Sequence, residues 1–327
     1  ITRIKSPLIE RIMQAFVSYG APAEIAYAYN PHVGSNLIRD VIRRMSDDLI
    51  ARGADLQFST PVDSLKLSER HVDGVILKSG EAINGTGLIM ACGHSASDFL
   101  RTCHDQGVDI EAKSFAIGLR IEHTQAEINQ WQYGRKDSPE ELGAAQYKLQ
   151  TYWDQEQIGV YTFCMCPGGY VIASATEPNT TVVNGMSNYH RNSKWANAAV
   201  VCSVAKEAIT GNDPFKMMDF QHAIERQTYT LAAEQNLAKS VPAQRVEDFF
   251  ARRRGQLPKK SSCPSGIVST DLSQILPDWM YTHLRDGLKA FEQKRRGFLK
   301  PDAILHAIES RTSSPIRMIR DDETMES

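Results

Sequence analysis

At 327 residues the chain has room for about two domains, at roughly 100–200 residues each. With 42% hydrophobic and 23% charged residues its composition is that of an ordinary globular protein, which excludes a disordered, collagen-like or disulfide-scaffold chain. Lys plus Arg at 37 against Asp plus Glu at 39 leaves −2, so no overall field directs it to nucleic acid or to an anionic membrane.

The first hundred residues alternate helix and strand. Leu8 to Tyr19 carries Ile9, Ile12, Met13, Phe16 and Val17 on one helical face, with Gly20 as its stop. Ser35 to Arg52 repeats the pattern with Leu37, Ile38, Val41, Ile42, Met45, Leu49 and Ile50 before Gly53. Strands are predicted at Asp55–Ser59, Val62–Leu67, Val72–Leu77 and Gly87–Cys92, and a helix over Ala96–Gly107. From Ser114 the character changes. Strands are predicted at 114–123, 145–152, 159–166, 169–175, 182–186 and 198–204, punctuated by Gly, Pro and Asn, as in an antiparallel domain. Helices follow at 215–233 and 278–296, and Ala303 to Ile308 reads as a strand returning to the first domain.

The six cysteines (Cys92, Cys103, Cys164, Cys166, Cys202 and Cys263) are sparse and irregular, so reduced thiols and a cytoplasmic location are expected. No apolar run approaches the roughly 18 residues of a membrane span, so no membrane partner is expected. Arg3, Lys5, Glu10 and Arg11 break any leader-like stretch. A start at Ile1 and an acidic end at Ser327 suggest a piece of a longer protein.

No Gly-x-Gly-x-x-Gly joins a strand to a helix, and neither a Walker loop nor a His-Glu-x-x-His is present. The segment Leu88-Ile-Met-Ala-Cys-Gly-His-Ser-Ala96 is more informative. A strand ending at Gly93 before a helix leaves backbone N–H groups able to face a ligand. Helix, strand, three-stranded excursion and returning strand together resemble the second half of the two-dinucleotide-binding flavoprotein fold. Ile1-Thr-Arg-Ile-Lys-Ser-Pro7, Pro31-His-Val-Gly-Ser35, Ala91-Cys-Gly-His-Ser-Ala96 and Phe115-Ala-Ile-Gly-Leu-Arg-Ile-Glu-His123 come first in order. Phe163-Cys-Met-Cys-Pro-Gly-Gly169, Val183-Asn-Gly-Met-Ser187, Pro242-Ala-Gln-Arg-Val246 and Ser310-Arg-Thr-Ser-Ser-Pro-Ile-Arg317 follow. The ordered set resembles a family of bacterial FAD-dependent dehydrogenases without an assigned substrate.

That resemblance implies an α/β chain: a partial FAD-binding, Rossmann-like domain with an inserted α+β, largely antiparallel substrate domain. The expected boundaries are 1–110 for the partial FAD-binding domain, 111–297 for the insert and 298–327 for the returning segment. The family's Gly-rich FAD fingerprint and its second flavin segment are absent from the chain. The implied function is FAD-dependent oxidoreduction of a small molecule, with hydride passing through flavin N5 and NAD(P)H as a conceivable electron donor. The implied cofactor contacts are Val62, Ala91, Cys92, Gly93, His94 and Ser95 on the adenosine side, and Arg311, Thr312, Ser313 and Ser314 at the flavin end. A non-catalytic module descended from a flavoprotein and a flavin-assisted RNA-modifying protein are the rival readings.

Glu122, His123 and His94 stand at strand ends, where a substrate acid or base could be placed. Arg120 alternates with Glu122 and is expected to pair with it. Cys164 and Cys166, two apart on a strand, share a face but are poorly placed for a disulfide. No third and fourth ligand lies at metal-site spacing, so no metal is expected. Arg252 to Lys260 carries five basic residues and no acid, and is expected to be a solvated loop rather than a nucleic-acid site.

Overall fold

The structure is a computed structural model that describes residues 8–28, 30–69, 71–301, 303–321, 323–324 and 326–327. The motif over 1–7 and Arg70 of the expected turn lie outside the described residues. In chain order the helices are α1 (Leu8–Ser18), α2 (Ile38–Ala51), α3 (Ser97–Asp105), α4 (Gln125–Tyr133), α5 (Lys216–Ala233), α6 (Val246–Phe250) and α7 (Asp278–Lys294). The strands are β1 (Val62–Ser68), β2 (His71–Leu77), β3 (Ala82–Asn84), β4 (Ile110–Ala112), β5 (Phe115–Thr124), β6 (Gln150–Trp153) and β7 (Ile158–Cys166). Then come β8 (Gly169–Ala173), β9 (Val183–Ser187), β10 (Trp195–Val204), β11 (Val241–Arg245), β12 (Ile267–Ser269), β13 (Ile304–Glu309) and β14 (Ile316–Met318).

These elements form two compact units. One holds the described residues up to Arg52 with Ala116–Val204 and Gln221–Thr312. Its seven-stranded sheet runs β12-β11-β13-β5-β10-β7-β6. The β11–β13, β13–β5, β10–β7 and β6–β7 pairs are antiparallel, and the edge pair β11–β12 is parallel. β5 sits between two neighbours and is buried on both faces from Phe115 to His123. That explains its almost unbroken apolar start, since a strand covered on both sides has no solvent face for polar residues. α7 turns Leu284, Leu288 and Phe291 inward. α1 and α2 pack through Met13, Phe16, Val17 and Val41, and Ser35 N donates to Ser187 O at 3.0 Å, tying the start of this helical pair to β9.

The other unit comprises Gly53–Phe115, Ala205–Phe220 and Ser313–Ser327. It contains the β1-β2-β3 meander, α3 and the β4–β14 pair. Leu100, Ile110, Phe215, Met218 and Ile316 make its core. Gln106 joins α3 to β1 by bonding Leu65 N and O at 2.9 and 2.8 Å.

Several sequence expectations need correction. Gly87–Cys92 is not a strand, because no strand among the described residues pairs with it, and Ile89 is 93% exposed. Asp55–Ser59 is likewise irregular, with Ser59 at φ 55°. The strand expected over 145–152 begins only at Gln150. The strand at 304–309 pairs with β5 and β11 of the seven-stranded sheet, so its neighbours are the middle of the chain. α4 was not anticipated, although its start was visible: Thr124 and Glu127 form a capping box, and Gly134 supplies the left-handed stop. Among the described residues no helix is long and apolar enough to cross a membrane.

Candidate functional site

On β5 the period of two puts Arg120 and Glu122 on the same face. β13 lies antiparallel beside it, with His306 opposite Arg120 and Ile304 opposite Glu122. Arg120 is wholly buried, and a guanidinium there requires an anion and full hydrogen bonding. Glu309 supplies the anion, accepting from Nε at 2.8 Å and from the second terminal nitrogen at 3.0 Å. Asn197 Oδ1 and the Cys164 carbonyl accept from the remaining nitrogen at 2.7 and 3.2 Å. Burial opposes the charge, yet the Glu309 carboxylate outweighs it and holds the arginine above its ordinary value. The expected Arg120–Glu122 pair is therefore replaced by Arg120–Glu309, because a register irregularity between His306 and Glu309 brings that carboxylate to Arg120. A Cβ at Gly185 would stand 2.3 Å from both an Arg120 nitrogen and Asn197 Oδ1. β9 can approach this cluster only as glycine.

Glu122 belongs to a second buried group. Its Oε2 accepts from Ser262 N at 3.0 Å and from Ser262 Oγ in a short contact, with Ser261 Oγ 3.4 Å away. Its Oε1 is buried and has no partner among the described residues. Ser261 Oγ also lies 3.2 Å from His306 Nε2, while His306 Nδ1 lies 3.3 Å from the Arg120 carbonyl. A carbonyl only accepts, so Nδ1 carries the proton and Nε2 accepts from Ser261. Burial pushes the His306 pKa below its usual value and favours the neutral ring that this arrangement needs. The chain thus strings a carboxylate, a hydroxyl and an oriented imidazole along β5 and β13.

Sequence reasoning found Glu122 but missed Ser261, Ser262 and His306. The serines lie 139 and 140 residues from Glu122, so no spacing rule connects them. His306 did leave a trace, as the one polar side chain inside Ala303-Ile-Leu-His-Ala-Ile308.

His123 faces the other way along β5, among Trp131, Tyr147 and Phe298. Its Nε2 donates to the Phe298 carbonyl at 2.9 Å, and burial lowers its pKa. At this end of β5 a cavity of about 140 Å³ is lined by Glu122, Thr124, Glu127, Trp195, Lys260 and Lys300, among others. Glu127 pairs with Lys300. Burial would raise the Glu127 pKa, but the Lys300 ammonium and the Thr124 N–H hold it below the usual carboxylate range.

The residues expected at FAD fall in both units. Val62 opens β1, and Ala91, Cys92 and Gly93 are exposed, with His94 and Ser95 partly buried before α3. Gly93 has φ +75° and open space where a Cβ would stand, and the N-cap Ala96 has no side-chain acceptor to cover the helix start. At the start of α3 Asp98 Oδ1 accepts from Phe99 N at 2.9 Å, so part of the helix start is already covered. The Arg311 group fits less well as a source of charge. Glu225, fully buried, accepts from Arg311 Nε and a terminal nitrogen at 3.0 Å each, neutralising it. Thr312 donates to the Ala116 carbonyl at 2.6 Å and Ser314 to the Ile316 carbonyl at 2.9 Å, while Ser313 is exposed.

The cysteines are all free thiols. Cys164 sits at φ +40°, which breaks the regular alternation with Cys166. Burial raises the pKa of both against the lowering pull of Arg120, and drives Cys202 up to about 12. Neither half-buried thiol is set up as a nucleophile. The basic run is partly consumed by local contacts: Arg252 lies 4.0 Å from the Tyr281 ring centre and 3.0 Å from Asp278, and Arg253 bonds Asp248 at 2.8 Å. No group of three metal-ligating side chains occurs among the described residues.

Residues 114–312, from the start of β5 to just past β13, match the family described as FAD-dependent protein, C-terminal domain-like. The chain belongs to that family. It is also 35% identical over 321 residues to an uncharacterised protein of Clostridium beijerinckii (strain ATCC 51743 / NCIMB 8052). That similarity covers 98% of this chain and 60% of the relative, so the chain spans about 60% of the length of the curated protein it matches. For this FAD-dependent family member, the matched region coincides with the sheet that carries Arg120, Glu122, His306 and Glu309.

Proposed function

We propose that the chain forms the substrate-side part, with a portion of the cofactor-binding part, of an FAD-dependent oxidoreductase acting as a dehydrogenase. The partial Rossmann-like domain belongs to this proposal. So does the division into a cofactor part from 1–110 and 298–327 and a substrate part from 111–297, with β13 assigned to the substrate sheet by its pairing. FAD, when bound, supplies hydride transfer at N5. Val62 and the Ala91–Ser95 corner would hold its adenosine side through backbone groups, with Arg311 to Ser314 as the flavin-end candidates.

The chain's own residues then have distinct tasks. Glu122 is the group that would take or return the substrate proton, while Ser262 fixes its carboxylate through Oε2. His306 keeps Ser261 oriented, and the Arg120–Glu309 pair fixes the strand positions on which both depend. Trp195 and Ile304 exclude water from the cavity wall. The family match over β5 to β13 is the observation that carries this reading. No comparable observation favours an RNA-modifying role, since Arg252 and Arg253 already have acidic partners.

The test is flavin content. The C. beijerinckii relative, purified at full length, should carry stoichiometric FAD that bleaches on reduction. This chain alone should bind FAD weakly or not at all in a calorimetric titration, because it lacks a glycine-rich pyrophosphate loop. A flavin-free relative that takes up no added FAD would refute the proposal.

A further inference from the structure

Three of the ordered sequence motifs, at 31–35, 163–169 and 183–187, have no task in the proposed reaction, yet they meet at one loop. Ser35 N and Oγ both donate to the Ser187 carbonyl, at 3.0 and 3.2 Å, and Ser187 Oγ donates to the Pro167 carbonyl at 2.8 Å. The residues that follow β9 are clamped from both sides. A Cβ at Gly34 would stand 2.3 Å from Tyr189 N, and one at Gly168 would stand 1.7 Å from the Arg191 carbonyl oxygen. The Asn188 carbonyl accepts from Arg191 N at 3.0 Å and from His32 Nε2 at 3.1 Å, which sets the His32 ring beside Arg191. Arg191 is held at φ +50°, a conformation that an arginine keeps only where its surroundings impose it.

This frame presents a half-buried guanidinium that no carboxylate neutralises among the described residues. Its Nε is sealed from solvent, whereas the two terminal nitrogens, equally without a partner there, are not. Burial pushes the Arg191 pKa down, and only the Cys166 sulfur favours its charge. Cys166 is no counter-ion, because burial raises the pKa of that thiol. His32 adds no second charge. A carbonyl only accepts, so its Nε2 carries the proton, and burial together with the Arg191 charge lowers its pKa and keeps the ring neutral.

We propose that Arg191 binds the carboxylate of a small organic acid through its two terminal nitrogens, on a loop locked in place by the motifs at 31–35 and 163–169. An arginine fork matches the two oxygens of a carboxylate or of a phosphate. The site carries a single positive charge, which a carboxylate balances and a phosphate dianion would exceed. The inference names a ligand class, and it needs neither FAD nor Glu122.

The experiment is an NMR and calorimetric titration of the 327-residue chain with acetate, pyruvate and benzoate. Acetamide is the uncharged control and inorganic phosphate the competing anion. At least one carboxylate should saturate with a Kd at or below about 10 mM, and acetamide should bind about tenfold or more weakly than acetate. The His32 ring resonances should shift with the same midpoint. Arg191→Gln should weaken the carboxylate by about tenfold or more, and Arg191→Lys, which keeps the charge and loses the fork, should recover only part of that. Absence of saturable carboxylate binding overturns the proposal. So does acetamide binding as tightly as acetate, phosphate binding more tightly than every carboxylate, or an affinity unchanged in folded Arg191→Gln. Should the Arg191 variants fail to fold, the parent chain still decides: binding that leaves the His32 resonances unmoved places the anion elsewhere and overturns the proposal. Carboxylate binding by this chain alongside a flavin-free C. beijerinckii relative would keep the site and remove the oxidoreductase reading, so the two can fail separately.

Discussion

Two segments with similar apolar sequence have opposite fates in this protein. Phe115–Thr124 is a fully formed strand, buried along nearly its whole length between β13 and β10. Gly87–Cys92, which reads as a strand just as clearly, has no lateral neighbour among the described residues, and its Leu88 and Ile89 face solvent. The apolar pattern specifies a willingness to be buried, whereas the strand itself requires hydrogen-bond partners on at least one side. Where partners exist, the sheet also tolerates polar chemistry in its interior, because Arg120 and Glu309 can find each other and Glu122 can be met by Ser261 and Ser262.

The contrast is sharpest at the buried ion pair. Glu309→Gln should cost about 3–5 kcal/mol, since it strands a wholly buried guanidinium. Replacing both partners by methionine should recover most of that loss in urea midpoints. A loss below about 1 kcal/mol for the single variant would mean that the pair is not desolvated as described.

A smaller effect is expected from pH. His123 and His306 are buried with pKa values below the ordinary 6.5. The unfolded chain therefore binds more protons than the folded one just below pH 6.5, and stability should fall as pH drops through that value. The slope approaches about 1.4 kcal/mol per pH unit for each histidine. Thermal unfolding followed from pH 8 to pH 5 checks this, and His306→Gln should flatten the curve. A flat curve in the parent protein would show that both rings stay accessible to protons.

The capping box of α4 comes next. Thr124→Ala should destabilise by about 0.5–2 kcal/mol by removing the side-chain cap at the end of β5. Ile89→Ser, on the unpaired segment, should change stability by no more than about 0.5 kcal/mol, because its side chain is already in solvent. A loss as large as that at Thr124 would give Ile89 a buried partner and break the comparison.

Much of the fold was legible in the sequence for reasons the contrast makes clear. Helices α1, α2, α5 and α7 carry their own hydrogen bonds, so the 3.6-residue stripe sufficed to find them. Strands β7 to β10 were found because Gly, Pro and Asn mark their ends. What the pattern could not supply was pairing. It sent β13 back to the first domain, whereas β13 pairs with β5 and β11 in a sheet built from distant segments, and it joined Arg120 to Glu122 because they are near in sequence. Glu122 itself stood out as a charge at a strand end. Its partners did not, since two serines in a polar loop acquire meaning only when the chain returns to β5. The Arg311 cluster was visible as a motif, but the buried Glu225 that neutralises it was not.

Hydrogen–deuterium exchange on the 327-residue chain tests the central claim most directly. Amides of 115–124 and 304–309 should be the slowest in the molecule, because both strands have hydrogen-bonded neighbours on either side and lie in the interior of the family's domain. Amides of 87–95 should exchange at rates near those of an unstructured segment. Protection at 87–95 equal to that of β5 would contradict the account, as would rapid exchange along β5 and β13.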